Sequence, residues 1–484
     1  MRKAFHEKKI TVVGLARSGA GAANLLTCLG ADVTVNDRKP RPQLDEVIDK
    51  LNKRVSVVTG SHPPELFETA DLVIVSPGVP SDIPPLRAAR ERGVRVIGEL
   101  ELAYEVLRSE KGAACPEFLA ITGSNGKSTT TTLLYEMLVR GGIGAVLAGN
   151  IGYSVASEVQ ALVEGGASAG VPQFMVVELS SFQLETTDEF RPRGAAILNI
   201  TPDHLDRYHE MEAYMDAKCR ISLKQLPTDY LVLNADDPLT PDVLGIIGRQ
   251  RGGGAMPVVL YFSRERRVEG IYLDNGLVRF NLSREVLDRV AKGVTAPDCA
   301  DSLDPAAFRI KGVHNIENAM AAALMAFLSG CGVEALRDTL RDFPGLEHRL
   351  EFVRELDGVK YINDSKGTNV GATMKSLEGF SEPVVLIAGG RDKDSDFTLL
   401  RPLVKEKVKK VILVGEAAEK ISRAVSDLAA CGHAGYDMDK AVRMARQAAA
   451  AGDVVLLSPA CASFDMFSDF EDRGRRFKML VEAL

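Results

Sequence analysis

Short apolar runs recur along this chain, each ending on glycine or a polar cluster, and stretches of helical periodicity separate them. Ile10–Val13 reads as a strand, Gly14–Gly19 as a tight turn and Ala20–Leu29 as a helix. Strands follow at Asp32–Val35, which runs out at Asp37, and at Leu72–Val75, which stops at Ser76-Pro77-Gly78. Ser109–Pro116, charged, then small, then proline-containing, reads as a linker. Beyond it, Phe118–Ile121 predicts a strand and Thr130–Arg140 a helix closed by Gly141 and Gly142. Gly165–Gly170 reads as a flexible insert, and Phe174–Val177, Ala195–Ile200 and Tyr230–Asn234 as strands with polar ends. From about Gly248 to Asp304 the pattern weakens. Gly252–Gly254 is a loop there, and the alternating pieces Gly270–Leu273 and Val278–Leu282 suggest hairpin strands. A helix is expected at Ile316–Leu328, then a third block from about Gly345 with strands at Val359–Ile362, Val384–Ala388, Val411–Val414 and Val454–Leu457.

Strands alternating with helices imply an α/β protein with mostly parallel sheets whose loops gather at one edge. The expected division is a Rossmann-like N-terminal domain over 1–112, a central P-loop ATPase-like domain over 113–344 and a Rossmann-like C-terminal domain over 345–484. A hinge is expected near Arg341–Glu347.

Composition narrows the class. The chain has 484 residues, 45% apolar and 26% charged, as in ordinary globular proteins of several domains. A net charge of −7 without a long Lys/Arg block argues against a nucleic-acid surface. Seven scattered cysteines with no CxxC pair point to a reducing cytosol rather than a disulfide framework or zinc site. The basic start MRKAFHEKK leads into a short strand pattern rather than a signal-peptide core, and no apolar run reaches membrane-spanning length. A cytoplasmic protein is expected.

The segment Ile121–Thr129, ITGSNGKST, carries the clearest chemistry. A strand, a Gly-rich turn and a helix start form a phosphate cradle: backbone N–H groups point at the anion and the helix dipole favours it. Gly123, Ser124, Asn125 and Gly126 form the turn, Lys127 can reach terminal phosphates, and Ser128 or Thr129 stands where a hydroxyl ligands Mg²⁺. Ile121 replaces the first glycine of the full P-loop pattern. The context nevertheless points to an ATP site.

Gly14–Gly19 nearly matches GxGxxG, and Asp37 lies at the distance expected of a ribose ligand. Ala16 stands where the middle glycine would let the backbone approach a pyrophosphate, so a nucleotide or nucleotide sugar fits better than NAD(P), with a plain turn as the remaining reading. Glu178 ends a strand beside the phosphate turn, where Mg²⁺ is commonly held, and a solvated strand-end glutamate is the competing reading. His204 lies in a dense polar turn; Lys218, in a helical stretch, is unremarkable by pattern alone. His314, Asn315 and Asn318 can share one helix face, suited to capping or to an adenine edge. Asn363–Asn369, Ala388–Lys393 and Ser458–Asp465 follow three successive strands, which favours a second substrate site. Cys461 has no histidine neighbour in sequence and reads as structural.

Taken in order, GSNGKST, GNIG (Gly149–Gly152), ELSSFQLE (Glu178–Glu185), NITPDHLDRY, HNIEN, HRLEF, NDSKGTN and SPACASFDMFSDFEDRG resemble the motifs of the Mur ligases of peptidoglycan synthesis. The ELSSFQLE and SPACASFDMF segments resemble the branch of that family that adds D-glutamate. The resemblance covers nearly the whole chain, with 248–304 its weakest stretch. It implies ligation of D-glutamate to UDP-N-acetylmuramoyl-L-alanine by a monomer that uses ATP and two Mg²⁺ sites, without nucleic acid or membrane partners. It further implies that Gly126, Lys127, Ser128 and Thr129 hold the ATP phosphates, and that Asn318, Arg349, Asp364 and Lys366 serve the remainder of the nucleotide. Glu178, His204 and Lys218, the last as a CO₂-derived carbamate, would join Ser128 at the metal. Arg17, Ser18, Asp37, Arg38, Ser76, Pro77 and Gly78 would bind the UDP end, with Asn150, Ser180 and His204 near the muramoyl-alanine end. Thr368, Lys393, Ser463 and Phe470 would meet D-glutamate.

Overall fold

Three β-sheets follow one another along the chain. The computed structural model describes residues 5–165, 170–298 and 301–484. Residues 1–4 of the basic N-terminal stretch, 166–169 of the expected insert, and Cys299 lie outside the described residues.

The first sheet contains β1 (Lys9–Val13), β2 (Asp32–Asp37), β3 (Ser56–Thr59), β4 (Leu72–Val75) and β5 (Arg95–Gly98), in the all-parallel order β3-β2-β1-β4-β5. The order reverses between β1 and β4, where the Gly14 turn and Ser76 meet; such a crevice is where open α/β sheets bind ligands. The second sheet contains β6 (Glu117–Thr122), β7 (Ala145–Gly149), β8 (Phe174–Glu178), β9 (Gly194–Ile197), β10 (Tyr230–Asn234), β11 (Val258–Ser263), β12 (Gly270–Asp274), β13 (Leu277–Asn281) and β14 (Ser302–Leu303). Its order is β14-β13-β12-β11-β10-β9-β6-β8-β7, parallel except for the antiparallel β12–β13 and β13–β14 pairs. The third contains β15 (Glu351–Leu356), β16 (Val359–Asn363), β17 (Val384–Gly389), β18 (Val408–Val414), β19 (Ala430–Gly435) and β20 (Val454–Leu457), ordered β15-β16-β20-β17-β18-β19 with only β15 antiparallel.

Interior strands such as β4 (LVIV), β8 (FMVVE) and β17 (VVLIAG) are buried at every position, so they read as apolar runs, β8 as far as its terminal Glu178. The six edge strands β3, β5, β7, β14, β15 and β19 are absent from the sequence expectation, as is the interior β11. Edges are half-solvated and carry polar residues, which blurs the pattern.

Helix starts differ in a consistent direction. The helix expected at Thr130 begins at Lys127, and that expected at Ile316 begins at Val313. Their first turns carry KST and VHN, mostly polar residues, so apolar periodicity misses them. The strand expected over Ala195–Ile200 ends at Ile197; Ile200 N–H leaves the sheet to donate to Asp237 Oδ2 at 2.9 Å. The expected linker Ser109–Pro116 is also corrected: the helix Glu99–Lys111 continues through its first residues and Gly112–Ala114 forms a 3₁₀ turn.

The cores are arranged unequally. One continuous apolar cluster runs from Ile10 through Leu107 of the first block into Phe118, Met175, Tyr214 and Ile247 of the second. Helices Arg17–Cys28, Glu99–Lys111 and Val155–Glu164 pack together within it. The opposite face of the central sheet is covered by Lys127–Arg140 and Val313–Leu328. The two clusters of the third sheet draw only on residues from 350 onward. No disulfide joins the cysteines among the described residues, and no helix there is long and apolar enough to cross a membrane.

Candidate active site

The phosphate turn is built as its residue types require. Gly126 caps the helix Lys127–Arg140 with φ +85°, and a Cβ there would come within 2.2 Å of Asn318 Oδ1. Only glycine meets both demands at once. Lys127 Nζ folds back to donate to the carbonyls of Gly123 and Ser124, both at 2.9 Å. Ser124 Oγ donates to Thr201 O at 2.9 Å, and Asn125 exchanges bonds with Asn199. The turn is thereby stitched to the segment after β9.

Beneath it lies Lys218, 1% exposed, whose Nζ donates to Gly123 O at 2.7 Å and sits 4.6 Å from the centre of the Tyr214 ring. Burial, reinforced by the charge of Lys127, holds this amine well below the usual lysine range. Glu178 is equally buried. Burial pushes its carboxyl up, but Lys366, Lys127 and the Asn150 bond prevail and leave it below the ordinary carboxylate value. Asn150 Nδ2 donates to Glu178 Oε1 at 2.9 Å, whereas Oε2 is buried with no hydrogen-bond partner. His204 has φ +56° and packs edge-on against Phe182, its ring pKa lowered by burial against the pull of Asp203.

The third block reaches into this site. Lys366 Nζ donates to Ser128 Oγ at 2.6 Å, and Arg349 donates to Thr129 Oγ1 at 2.8 Å. Asn369 Nδ2 donates to Asp203 Oδ2 at 3.0 Å, with Lys393 Nζ 3.7 Å from Asp203 Oδ1. Four cations, Lys127, Arg349, Lys366 and Lys393, thus crowd around Glu178 and Asp203, and their mutual repulsion depresses Lys127 and Lys366 further after burial. The excess positive charge at a helix N-terminus suits a polyanion.

A cavity of about 710 Å³ opens between the second and third sheets. It brings Asn125, Gly126, Asn318, Arg349, Asp364 and Lys366 together, with His204 and Lys393 at its wall. Asp364, raised by burial, accepts from Ser376 and Ser458, both at 2.7 Å. Thr368, Ser463 and Phe470 do not line this cavity. Phe470 lies 5.2 Å from Lys366 Nζ, Ser463 is buried at the turn after β20, and Thr368 is half-buried. Ser180 caps the short helix Ser181–Leu184, with Gln183 returning the bond.

At the first sheet, Gly14 has φ +90°, and Gly19 passes so close that a Cβ would lie 2.0 Å from Gly14 O. Asp37 spends both oxygens locally, accepting from Leu15 N–H and Lys39 N–H. Ser76 Oγ donates to Gly14 O at 2.7 Å, while Arg38 and Gly78 are exposed and Pro77 and Ser18 half-buried beside the same crevice. Arg17 reaches instead to the loop after β7.

Comparison with known proteins gives the same picture along the chain. Residues 8–98 match the description "Mur ligase MurD-like, N-terminal domain", 121–326 "Mur ligase middle domain" and 348–461 "Mur ligase, glutamate ligase domain". A Geotalea uraniireducens protein named UDP-N-acetylmuramoylalanine--D-glutamate ligase is 43% identical over 479 residues, covering 99% of this chain and 98% of its own. The chain belongs to the Mur ligase family. A relative of the same name from Acidobacterium capsulatum is 44% identical, covering 98% of this chain and 96% of its own. Among solved Mur ligases, the UDP-N-acetylmuramate-alanine ligase MurC of Thermotoga maritima superposes with a TM-score of 0.59 at 19% identity, over 99% of this chain and 100% of that one. MurF of the same organism, solved in complex with ADP, gives 0.58 at 15% identity, over 100% and 97%. These establish the three-domain Mur ligase fold.

Several residues of this Mur ligase site escape the sequence pattern: Asp203, Asn199, Thr201 and Tyr214. The only available signal was the polar density of NITPD directly after a strand.

Proposed function

We propose that this Mur ligase joins the amine of D-glutamate to the carboxylate of UDP-N-acetylmuramoyl-L-alanine, cleaving ATP to ADP and phosphate. The observation that carries the ATP step is the convergence of Lys127, Lys366 and Arg349 on the helix N-terminus after Gly126. The relatives named for this reaction support the substrates. A carboxylate is a poor electrophile. Its oxygen attacks the γ-phosphorus, ADP departs, and the acyl phosphate then accepts the D-glutamate nitrogen; the tetrahedral intermediate expels phosphate and the amine proton is lost. The protein positions these groups and neutralises charge.

In this reading Gly123–Thr129 cradles the phosphates, Asn318 and Asp364 hold adenine and ribose in the 710 Å³ cavity, and Arg349 and Lys366 complete the nucleotide site. The residues suit a divalent cation. Glu178 Oε2 is an unpartnered buried oxygen, although no three His, Cys, Asp or Glu side chains among the described residues converge to hold a metal by themselves. Ser128, Glu178, His204 and a carbamate on Lys218 would hold Mg²⁺ at up to two sites, a hard cation that also keeps phosphate and water ligands. Mg²⁺ bound there supplies positive charge against the transferring phosphoryl group. Ser18, Asp37, Arg38 and Ser76–Gly78 take the UDP end, Asn150 and Ser180 the muramoyl-alanine end, and Thr368, Lys393, Ser463 and Phe470 the D-glutamate. The units 1–112, 113–344 and 345–484 act as a monomer, the last closing over the other two.

Phosphate release from ATP with UDP-N-acetylmuramoyl-L-alanine, Mg²⁺ and a panel of D- and L-amino acids tests the reading. Release only with D-glutamate, matched by product, is expected. Release with a different amino acid would reassign the third-block pocket, and silence from folded, ATP-binding protein would overturn the reaction.

A further inference from the structure

Arg17 opens the helix Arg17–Cys28 directly after the turn assigned to the nucleotide sugar, yet its guanidinium leaves that turn. It donates to Gly152 O at 2.9 Å, Asn150 O at 3.1 Å and Gly149 O at 3.3 Å. The three carbonyls belong to the last residue of β7 and the loop leaving it. They can converge because Gly149 and Gly152 have φ of +104° and +69°. Convergent carbonyl dipoles repel one another unless a cation sits among them, and a planar guanidinium fork spans the three in a fixed geometry that an ammonium does not match.

The other side of this loop is locked to β8. Asn150 N–H donates to Glu178 O and Asn150 Nδ2 to Glu178 Oε1, both at 2.9 Å. Gly149 passes so close that a Cβ would lie 2.3 Å from Glu178 O. A loop of four residues therefore connects a guanidinium of the first block to the carboxylate of the second. Asn150 occupies Oε1 and Oε2 is left without a partner.

We infer that Arg17 is a positioning residue for Glu178. It holds the Gly149–Gly152 loop so that Asn150 engages Oε1 and Oε2 remains open for the divalent cation. The inference rests on Glu178 being the cation ligand in the function proposed above. Arg17 is otherwise exposed, so water can solvate the freed carbonyls in a variant and the fold survives, while the loop loses its fixed register.

The test compares the wild type with Arg17→Lys, Arg17→Ala, Asn150→Ala and the Arg17→Ala/Asn150→Ala double variant. Mn²⁺ binding to each ADP complex is followed by electron paramagnetic resonance, alongside calorimetric binding of UDP-N-acetylmuramoyl-L-alanine and thermal midpoints. Loss of an outer support of a metal ligand predicts Mn²⁺ affinity weaker on the order of ten-fold for Arg17→Ala. Arg17→Lys should fall between, the thermal midpoint of the two Arg17 single variants should hold and their nucleotide-sugar binding should fall by less than their Mn²⁺ binding, and the double variant should bind Mn²⁺ no worse than Asn150→Ala. Weakened nucleotide-sugar binding with intact Mn²⁺ binding would make Arg17 a substrate ligand and overturn the inference. A lowered midpoint with parallel loss of every ligand would overturn it in favour of a structural role. A wild type that binds Mn²⁺ with ADP but never turns over would sink the proposed reaction, while the Mn²⁺ comparison would still decide the inference.

Discussion

The Nζ of Lys218 donates a hydrogen bond to the carbonyl oxygen of Gly123 at 2.7 Å, in a buried space directly under the phosphate turn. A cation there would oppose Lys127 above it. Burial and that neighbour both favour the neutral amine, the form that adds CO₂ to give a carbamate and a released proton. A carbamate signal from Lys218 is expected in carbon-13 spectra after incubation with labelled bicarbonate. Lys218→Ala should be inactive and regain part of its activity with acetate or propionate. Equal recovery with chloride, or no carbamate signal, would remove the assigned role.

Arg349 and Lys366 tie the third block to the hydroxyls of Thr129 and Ser128. Hydrogen bonds from charged groups contribute about 1.5–3 kcal/mol, so Arg349→Met or Lys366→Met should weaken ADP binding by roughly 10- to 100-fold. Binding of UDP-N-acetylmuramoyl-L-alanine should not change, because its expected site lies at the first sheet. Calorimetry with each ligand separates the two, and unaltered ADP affinity would show that these contacts close the protein without reading the nucleotide.

Glu99 is fully buried, accepts from Ala156 N–H at 2.6 Å through Oε1, and leaves Oε2 without a partner. Burial raises its pKa to about 7, against the Ala156 bond and the charge of Arg17. Below about pH 4.5 the carboxyl is protonated in folded and unfolded chains alike. As pH rises toward 7 the unfolded chain releases its proton first, so Glu99 increasingly opposes folding, and the deficit is complete above pH 7. Glu99→Gln should therefore gain thermal stability relative to the wild type at pH 8 and little at pH 5. The same difference at both pH values would contradict the raised pKa.

Gly126→Ala places a Cβ 2.2 Å from Asn318 Oδ1 at φ +85°. The left-handed conformation costs about 1–2 kcal/mol for a residue with a side chain, and Asn318 must also move away from the nucleotide cavity. ADP binding should be lost while the thermal midpoint falls by only a few degrees, as expected for about 1–2 kcal/mol in a large chain. Retained ADP affinity would argue against the turn as the phosphate site.

Strands buried on both faces, such as β4, β8, β17 and β20, are legible because nearly every position there is apolar, and β12 and β13 are legible by their alternation, whereas the interior β11 is not. All six edge strands were hidden, since half-solvated sequences such as SVVT, EFVREL and ACGHAG look like connections. The phosphate turn was legible because glycine, lysine and hydroxyls lie within nine residues of one another. Lys218 was not: the helix that carries it looks ordinary, and its distinction comes from a neighbour 95 positions away. Asp203 is inconspicuous for the same reason, because what singles it out is the approach of Asn369 and Lys393 from another sheet.

The apolar interior is shared by the first two blocks but stops short of the third, which meets the second near the phosphate turn through hydroxyls, amides and charges. Such a junction can be re-made without repacking a core. On the proposed placement of D-glutamate in the third block, that block is a replaceable cassette: its amino-acid preference can change by substitutions on one side of a polar seam.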